Sequence, residues 1–184
     1  MRDIELVTER LHLRPVGRDD LDVFAALGAD ERVMAPFGGA VSRARTAEWL
    51  EMMLEHWRAH GFGRFYVERA GTFVGAVGLS RSDFDAGIVP GVEVAWRLAF
   101  EHWGNGYATE AARAVIDDGF ARLGLESIVG VTTPGNLRSR RVMDRLGMVP
   151  SPGETFEHRL VPEGDPLRTH VVYRLAQRGR PRCA

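Results

Sequence analysis

The chain has 184 residues and a formal net charge of −1, with 45% hydrophobic and 27% charged residues, values typical of a globular domain. A net charge so close to zero gives no overall attraction for nucleic acid or an anionic membrane. No apolar run approaches the roughly 20 residues that span a bilayer, and the first residues lack the pattern of a signal peptide. We therefore expect one domain over 1–184 with a short polar tail at about 177–184, in the cytoplasm, with neither nucleic acid nor membrane as a partner.

Two residue types restrict the chemistry. All 24 basic residues are arginine, so no lysine can form a Schiff base or act as a nucleophile, and any side-chain cation that holds an anion is a guanidinium fork. The single cysteine, Cys183, lies in the polar tail and has no partner for an internal disulfide, which agrees with a reducing compartment.

The first half of the chain is predicted to contain one strand, two helices and a hairpin, from apolar periodicity, aspartate caps and the glycine that follows a helix. In chain order these are a strand over Leu6–Arg14, a short helix from Asp19-Asp20 to Leu27, a loop at 35–39, a helix over about Arg45–His60 and strands Arg64–Glu68 and Thr72–Ser80 around Ala70-Gly71.

The second half alternates strands and helices. The predicted elements are strand Val92–Leu98, helix Tyr107–Leu123, buried strand Ser127–Thr133, helix Asn136–Leu146 and two strands at about Thr155–Leu160 and Thr169–Leu175. The order βααβββαβαββ predicts a protein of the α/β class (α+β type) with one mixed sheet and helices on both faces.

The stretch VEVAWRLAFEHWGNGYATEA, residues 92–111, joins a strand to a helix through Gly104-Asn105-Gly106. A helix N-terminus offers unpaired N–H groups to an anion, and glycines let the main chain approach a ligand closely. This predicts a phosphate-bearing cofactor; the alternative is an ordinary turn that binds nothing. No Gly-Lys-Ser/Thr follows, so the turn is not a P-loop. Thr109 occupies the third glycine position of a dinucleotide fingerprint, and no acidic residue follows the next strand, so that class is excluded too.

Three motifs in this order carry a family resemblance: TERLHLRPVGRDDLDVF, GVEVAWRLAFEHWGNGYATEAARAVIDDGF and NLRSRRVMDRLGM. Together they resemble the GNAT superfamily of N-acetyltransferases, and within it the branch of the ribosomal-protein N-terminal (alanine/serine) acetyltransferases. The resemblance implies a single, largely antiparallel sheet of about six to seven strands, splayed between the fourth and fifth. It also implies acetyl-CoA as co-substrate, no metal, an amine acceptor, and a homodimer as an option.

The resemblance also assigns cofactor contacts to residues of this chain. Pantetheine would lie along the backbone of Trp96, Arg97 and Leu98, and the pyrophosphate on the amides of Trp103, Gly104, Asn105, Gly106, Tyr107 and Ala108. Asn136 would bind pantetheine and Ser139 would face the phosphate end. Arg138, Arg140, Arg141 and Arg145 crowd the same helix, and Arg141 is our candidate for the 3′-phosphate of CoA; the alternative for each is a solvated basic surface.

Two positions depart from the family pattern. Glu101 stands where the loop commonly begins with Arg or Gln. Met143 stands where many relatives carry a tyrosine that protonates the leaving sulfur, and a thioether cannot donate that proton. A thiol with a pKa near 8.5 is a tolerable leaving group without help.

Glu93 is the candidate base that takes the proton of the amine. Strand periodicity puts Glu93, Ala95 and Arg97 on one face, and burial of a carboxylate raises its pKa towards the range of a working base. The alternative is a structural ion pair with Arg97.

Other residues are weaker candidates. His102, next to the glycine turn, is an alternative proton carrier. Asp83 and Asp85 are alternatives for binding the substrate ammonium, or simply turn residues. The remaining histidines are scattered singly and predict no metal site. Trp49, Met52, Met53 and Trp57 form an apolar helix face expected to pack in the core, although in relatives the neighbouring loop Ala35–Ala40 borders the acceptor site.

The resulting prediction is an N-acetyltransferase that moves an acetyl group from acetyl-CoA to a primary amine, on a protein N-terminus or a small molecule. Cys183 lies close to the chain end and is therefore a poor candidate for a nucleophile. Direct attack of the amine on acetyl-CoA in a ternary complex is favoured over a covalent acyl-enzyme. The alternatives are a non-catalytic CoA-binding regulatory module and a transferase of a larger acyl group such as succinyl.

Overall fold

The structure is a computed structural model that describes residues 4–81, 91–159 and 161–177. In these ranges five α-helices occur: α1 Leu21–Ala29, α2 Glu31–Met34, α3 Arg43–His60, α4 Tyr107–Ala121 and α5 Leu137–Leu146. Short 3-10 turns lie at Arg18–Asp20, Ala35–Phe37, Phe100–His102 and Pro152–Glu154. None of the described helices is long and apolar enough to cross a bilayer.

Nine strands form the sheet within the described ranges. They are β1 Leu6–Val7, β2 His12–Pro15, β3 Arg64–Arg69, β4 Thr72–Arg81, β5 Val92–Leu98, β6 Ser127–Thr132, β7 Val149–Pro150, β8 Phe156–Glu157 and β9 Thr169–Ala176. Their order is β1-β2-β3-β4-β5-β6-β9-β7, with β8 paired to β9 off this path. Only β5 and β6 run parallel among these pairs. The predicted class, a mixed and largely antiparallel sheet, is confirmed.

The two faces of β4 and β5 are covered by different helices. Gly119 of α4 lies so close to Leu79 that an added Cβ would stand 2.7 Å from Leu79 Cδ1. Leu79 and its partner Val94 therefore face α4. Period-2 alternation turns Glu93, Ala95 and Arg97 to the other face, where α3 contributes Trp49, whose ring lies under the Arg97 guanidinium.

The sheet opens between β5 and β6. Every residue of β5 pairs with β4, whereas the register with β6 contains the single pair Glu93↔Val129. The two strands separate beyond that pair. The expected splay between the fourth and fifth predicted strands is thus confirmed, because those strands are β5 and β6.

Several boundaries differ from the sequence-based predictions. The first predicted strand is two strands, because the Thr8 N–H donates to the Leu11 carbonyl at 2.9 Å and closes a turn. Asp20 does not cap a helix: its carboxylate accepts the Gly17 N–H at 2.7 Å and pairs with Arg14 at 2.6 Å. The short helix α2, which is capped by Asp30, was missed.

The strand count of six to seven was also too low. The split first strand and the two-residue strand β7 account for the difference. The strand predicted at Thr155–Leu160 is reduced to Phe156–Glu157; Leu160 lies outside the described residues. In α3, Trp57 is buried as expected, but Met52 is 66% exposed and does not pack in the core.

Gly75 sets the contact between β4 and β5. A Cβ built there would lie 2.4 Å from the Arg97 carbonyl oxygen and 2.6 Å from Leu98 Cα. We expect Gly75→Ala to push β5 away and to lower the free energy of unfolding by about 1–3 kcal/mol, as overpacking does. Urea unfolding measures this change. Gly153→Ala is the control, since an added Cβ there meets no heavy atom within 4 Å, and equal losses in the two variants would contradict the argument.

Candidate active site

The open edge of β5 presents unpaired backbone groups. The Ala99 N–H donates to the Val74 carbonyl in the direction of β4 at 3.0 Å. Because backbone groups alternate direction along a strand, those of Trp96 and Leu98 point the other way, into the opening. The Leu98 carbonyl already accepts Trp103 Nε1–H at 2.8 Å. Among the described residues, both backbone groups of Trp96 and the N–H of Leu98 are left for another partner.

A cleft of about 400 Å³ begins at this edge. Its walls are the end of β5, the glycine turn, the starts of α4 and α5, and residues 32–37. All the predicted cofactor-binding residues except Asn105 line it. Asn105 is turned away, because its side-chain amide donates to the carbonyls of His102 and Trp103 at 3.2 and 3.1 Å.

The start of α4 is open towards the cleft. Gly104 and Gly106 both have positive φ, +81° and +82°, a region that favours glycine. Gly106 precedes the helix and no side chain caps it. The amides of Tyr107, Ala108 and Thr109 therefore have no acceptor within the helix.

Thr109 is a site residue that the sequence reasoning missed. Its hydroxyl lines the cleft, is buried, and has no hydrogen-bond partner among the described residues. Such a group has a free-energy cost unless something supplies the missing bond. Its place in the first turn of α4, beside the predicted anion-binding amides, is the signal that could have identified it.

Hydrogen bonds of Arg10 stabilise the glycine turn. The Arg10 guanidinium donates to the Asn105 carbonyl at 3.1 Å and to the Glu110 carboxylate at 2.7 Å. Glu110 also accepts the Thr8 hydroxyl at 2.6 Å. The turn is thus held in one geometry by residues of the turn between β1 and β2 and by Glu110 of α4.

The lining of the cleft is strongly positive. It contains five arginines and no aspartate or glutamate among the described residues. These are Arg32, Arg97, Arg138, Arg141 and Arg145. Arg140 is directed elsewhere, since it donates to the Tyr173 hydroxyl at 3.0 Å and to the Pro134 carbonyl at 3.1 Å. In a chain with a net charge of −1, this concentration of cations favours a polyanionic ligand.

Asn136 has a local structural role as well as a place in the cleft. Its Oδ1 accepts the Ser139 N–H at 3.2 Å and caps α5. Both residues line the cleft and also a smaller adjoining cavity of about 100 Å³. The two spaces therefore adjoin at the start of α5.

Glu93 lies in the wall of the smaller cavity. Its side chain is buried and makes no hydrogen bond or ion pair with any described residue. Burial raises the pKa of Glu93 to about 7, and the nearby Arg64 guanidinium partly opposes this rise. No ion pair joins Glu93 to Arg97, so the structural alternative proposed for that pair is absent. Arg64 itself donates to the Gly78 carbonyl and to Ser80 Oγ, both at 3.2 Å.

His170 is a second titratable residue of this cavity that the sequence did not single out. Its Nδ1 lies 3.0 Å from the Arg168 carbonyl; since a carbonyl only accepts, Nδ1 carries the proton. Burial lowers the pKa of His170, and the neighbouring His158 lowers it further. The β8–β9 pairing stacks its ring on Phe156 at 5.3 Å, a proximity that spacing in the sequence did not indicate.

The other candidates are placed as follows. Met143 lines the smaller cavity and is 1% exposed, so a thioether occupies the wall beside Glu93. His102 lines the larger cleft and not the cavity of Glu93. Asp83, Asp85 and Cys183 lie outside the described residues. No group of three or more potential metal ligands occurs in the part of the chain that the structure describes.

Comparison with known proteins identifies the class. Residues 10–149 match the Acetyltransferase (GNAT) domain family, so the chain belongs to the GNAT family of acetyltransferases, which transfer acyl groups from acetyl-CoA to amines. The resemblance read from the sequence is confirmed, and the protein is an acyltransferase.

Particular relatives agree with this assignment. The chain is 34% identical over 147 residues to the uncharacterized protein YkkB of Bacillus subtilis, covering 78% of this chain and 84% of YkkB. It is similar in structure to an acetyltransferase from Agrobacterium tumefaciens, with a TM-score of 0.78, 30% identity and 96% of each chain covered. The ribosomal-protein-S5-alanine acetyltransferase of Vibrio fischeri shares the fold, with a TM-score of 0.75, 20% identity and coverage of 97% and 100%.

The buried Glu93 carboxyl makes stability depend on pH. Its pKa is about 7 in the folded chain against a usual 4.5, so the folded state holds a proton that the unfolded state has lost between these values. The stabilisation is complete below pH 4.5 and is lost as the pH rises through 7. We expect the wild type to lose up to about 3 kcal/mol relative to Glu93→Gln across this range.

Urea unfolding at a series of pH values measures this difference. The exposed substitution Glu9→Gln is the control and should follow the wild type. A wild-type curve parallel to that of Glu93→Gln would show that the Glu93 carboxyl titrates normally.

Proposed function

We propose that the protein is an N-acetyltransferase in which a primary amine attacks acetyl-CoA directly in a ternary complex. The observation that carries the proposal is a pair of adjoining spaces. Together they extend from the uncapped start of α4, past the open edge of β5, to the buried carboxyl of Glu93. We also propose that residues 1–184 form a single domain.

The described residues fit CoA along these spaces. The free backbone groups of Trp96 and Leu98 would bind pantetheine as a neighbouring strand does. The pyrophosphate would meet the amides that begin α4, where helix N-termini bind phosphate, and the unpartnered Thr109 hydroxyl. Arg138, Arg141 and Arg145 line the far wall and would bind the 3′-phosphate.

The transfer itself needs few groups. Glu93 takes a proton from the substrate ammonium, and the lone pair of the resulting neutral amine attacks the thioester carbon. As the carbon–sulfur bond breaks, the nitrogen loses its second proton to solvent, and the thiolate takes a proton from solvent, because Met143 cannot donate one. A carboxyl with a pKa of about 7 is half ionised at neutral pH, which suits a general base.

Two alternatives use the same site. A CoA-binding regulatory module would bind the cofactor without turnover, and the buried Glu93 carboxyl, whose pKa of about 7 suits a base, argues against it. Transfer of a larger acyl group, such as succinyl, would use the same cofactor contacts. Free-thiol detection with acetyl-CoA and succinyl-CoA over a panel of amines and N-terminal peptides, together with calorimetric titration of CoA, separates the three.

Removal of the proposed base should slow the reaction. We expect Glu93→Gln to lower kcat by about 10²–10⁴-fold at pH 7, the usual contribution of a general base, while the Kd of CoA stays unchanged. The wild-type rate should rise with pH through about 7, following the pKa of Glu93. Full turnover by Glu93→Gln between about pH 6 and 9, a window set by that pKa, would exclude Glu93 as the base.

Two neighbouring arginines on α5 provide a matched pair for the cofactor. Arg141 lines the cleft, whereas Arg140 is bonded to Tyr173 and Pro134. We expect Arg141→Met to weaken CoA binding by roughly 10-fold or more, as the loss of a charged hydrogen bond does, and Arg140→Met to leave it unchanged.

Dephospho-CoA, which lacks the 3′-phosphate, tests the partner of Arg141. Arg141→Met should bind this analogue as well as the wild type does, by calorimetry. An equal loss of affinity for CoA and for dephospho-CoA would assign Arg141 to another part of the cofactor.

A further inference from the structure

Arg97 is a cation without a hydrogen-bonded partner in the wall of the cleft. Its guanidinium lies 4.2 Å from the ring centre of Phe37 and 5.1 Å from that of Trp49. It makes no hydrogen bond or ion pair with any residue that the structure describes, and its Nε is buried. Five N–H donors in a fixed plane are thus held in place by aromatic contacts alone.

This arrangement is unfavourable unless an anion completes it. A buried charge has a large desolvation cost when it is neither paired nor hydrogen-bonded, and stacking on rings compensates only part of that cost. Burial lowers the pKa of Arg97 to about 10, with a further contribution from the like charge of Arg64. At neutral pH the group is still charged and still lacks an acceptor.

Arg97 lies near the junction of the two spaces: it lines the larger cleft, and its ring partner Phe37 lines both the cleft and the cavity of Glu93. The Arg97 side chain lies on the α3 face of the sheet, against Phe37 and Trp49, whereas the open start of α4 belongs to the helix on the other face. Glu93 and Arg64 share the face of Arg97. An anion bound by Arg97 beside Phe37 therefore lies between the cofactor cleft and the cavity of Glu93, where a substrate that approaches Glu93 supplies it.

Charge balance points to the same conclusion. Glu93 is the only carboxyl among the described residues that line the two spaces, whereas five arginines, Arg97 among them, line the cleft that adjoins its cavity. A bare ammonium would meet surplus positive charge in that cleft. An amine that also carries a carboxylate would neutralise Arg97 while its amino group reaches Glu93.

We propose that Arg97 binds a carboxylate of the acceptor, so that the substrate class is amines that carry a carboxylate. This rests on the proposed acetyl transfer and adds to it the identity of the acceptor. The amine nitrogen forms the new bond to the acetyl carbon as the carbon–sulfur bond breaks, Glu93 takes a proton of the substrate ammonium, and the carboxylate stays unchanged on Arg97. The carboxylate belongs to a free amino acid or to an acidic residue of a peptide N-terminus.

Matched acceptor pairs test the proposal. Free amino acids are compared with their carboxamides, and peptides with Asp at the second position with those that have Asn there. We expect the carboxylate member of one set to be preferred in kcat/KM by about 10–100-fold, the effect of a charged hydrogen bond. A preference among the amino acids assigns the carboxylate to a free amino acid. A preference among the peptides assigns it to an acidic residue of a peptide N-terminus. Arg97→Met should abolish the preference, and Arg97→Lys should keep part of it.

Arg45→Met is the control. Arg45 contacts the same Trp49 ring at 5.7 Å, but it is exposed and paired with Glu48 at 2.6 Å, so its loss should leave the preference intact. Calorimetric CoA binding and urea unfolding verify that each variant is folded. Equal rates on both members of every pair, or a preference that survives Arg97→Met, would overturn the proposal.

A second measurement does not need turnover. N-acetyl amino acids and N-acetylated Asp peptides, with their neutral amides, are titrated by calorimetry into the complex with CoA. We expect an acid to bind at least about 10-fold more tightly than its amide, and only when Arg97 is present. Equal affinities of acids and amides contradict the role of Arg97, whereas failure of CoA itself to bind contradicts the proposed function.

Discussion

The single pairing between β5 and β6 is the constraint on which the site depends. If the two strands stayed paired along their length, the backbone groups of Trp96 and Leu98 would be used within the sheet. Because the register stops at Glu93↔Val129, the same stretch of chain ends as a free edge beside an uncapped helix. The last paired position, Glu93, also carries the carboxyl proposed as base, so the proposed base lies where the two strands begin to separate.

The sequence predicted the class of fold and the glycine turn at the start of α4, because both depend on local patterns. Strand periodicity and the Gly104-Asn105-Gly106 turn are features of neighbouring residues. His170 was missed because its proximity to Glu93 results from the parallel and antiparallel pairings of β6, which no local spacing encodes. The burial of Glu93 was expected, but its charged neighbour is Arg64, a residue of β3, and not Arg97.

The absence of lysine from the sequence takes on a structural meaning in the cleft. Guanidinium groups stack on aromatic rings and keep their charge when buried, and Arg97 on Phe37 and Arg138 on Trp103 are both of this kind. A planar guanidinium stacked on an aromatic ring can line a narrow space. The ammonium of a lysine at the same place would retain its hydration shell. Arginine is therefore proposed to bind two different groups in the site, the phosphates of the cofactor and the carboxylate of the acceptor.

The contact of Arg10 with the glycine turn links distant parts of the chain. Arg10 and the Asn105 carbonyl are separated by 95 positions, so the turn reaches its final geometry only after the first hairpin has docked. Long loops close slowly relative to local structure. We expect competence to bind the cofactor to be acquired late in folding, after β4 and β5 have already paired, so that a nascent or partly unfolded chain does not sequester CoA.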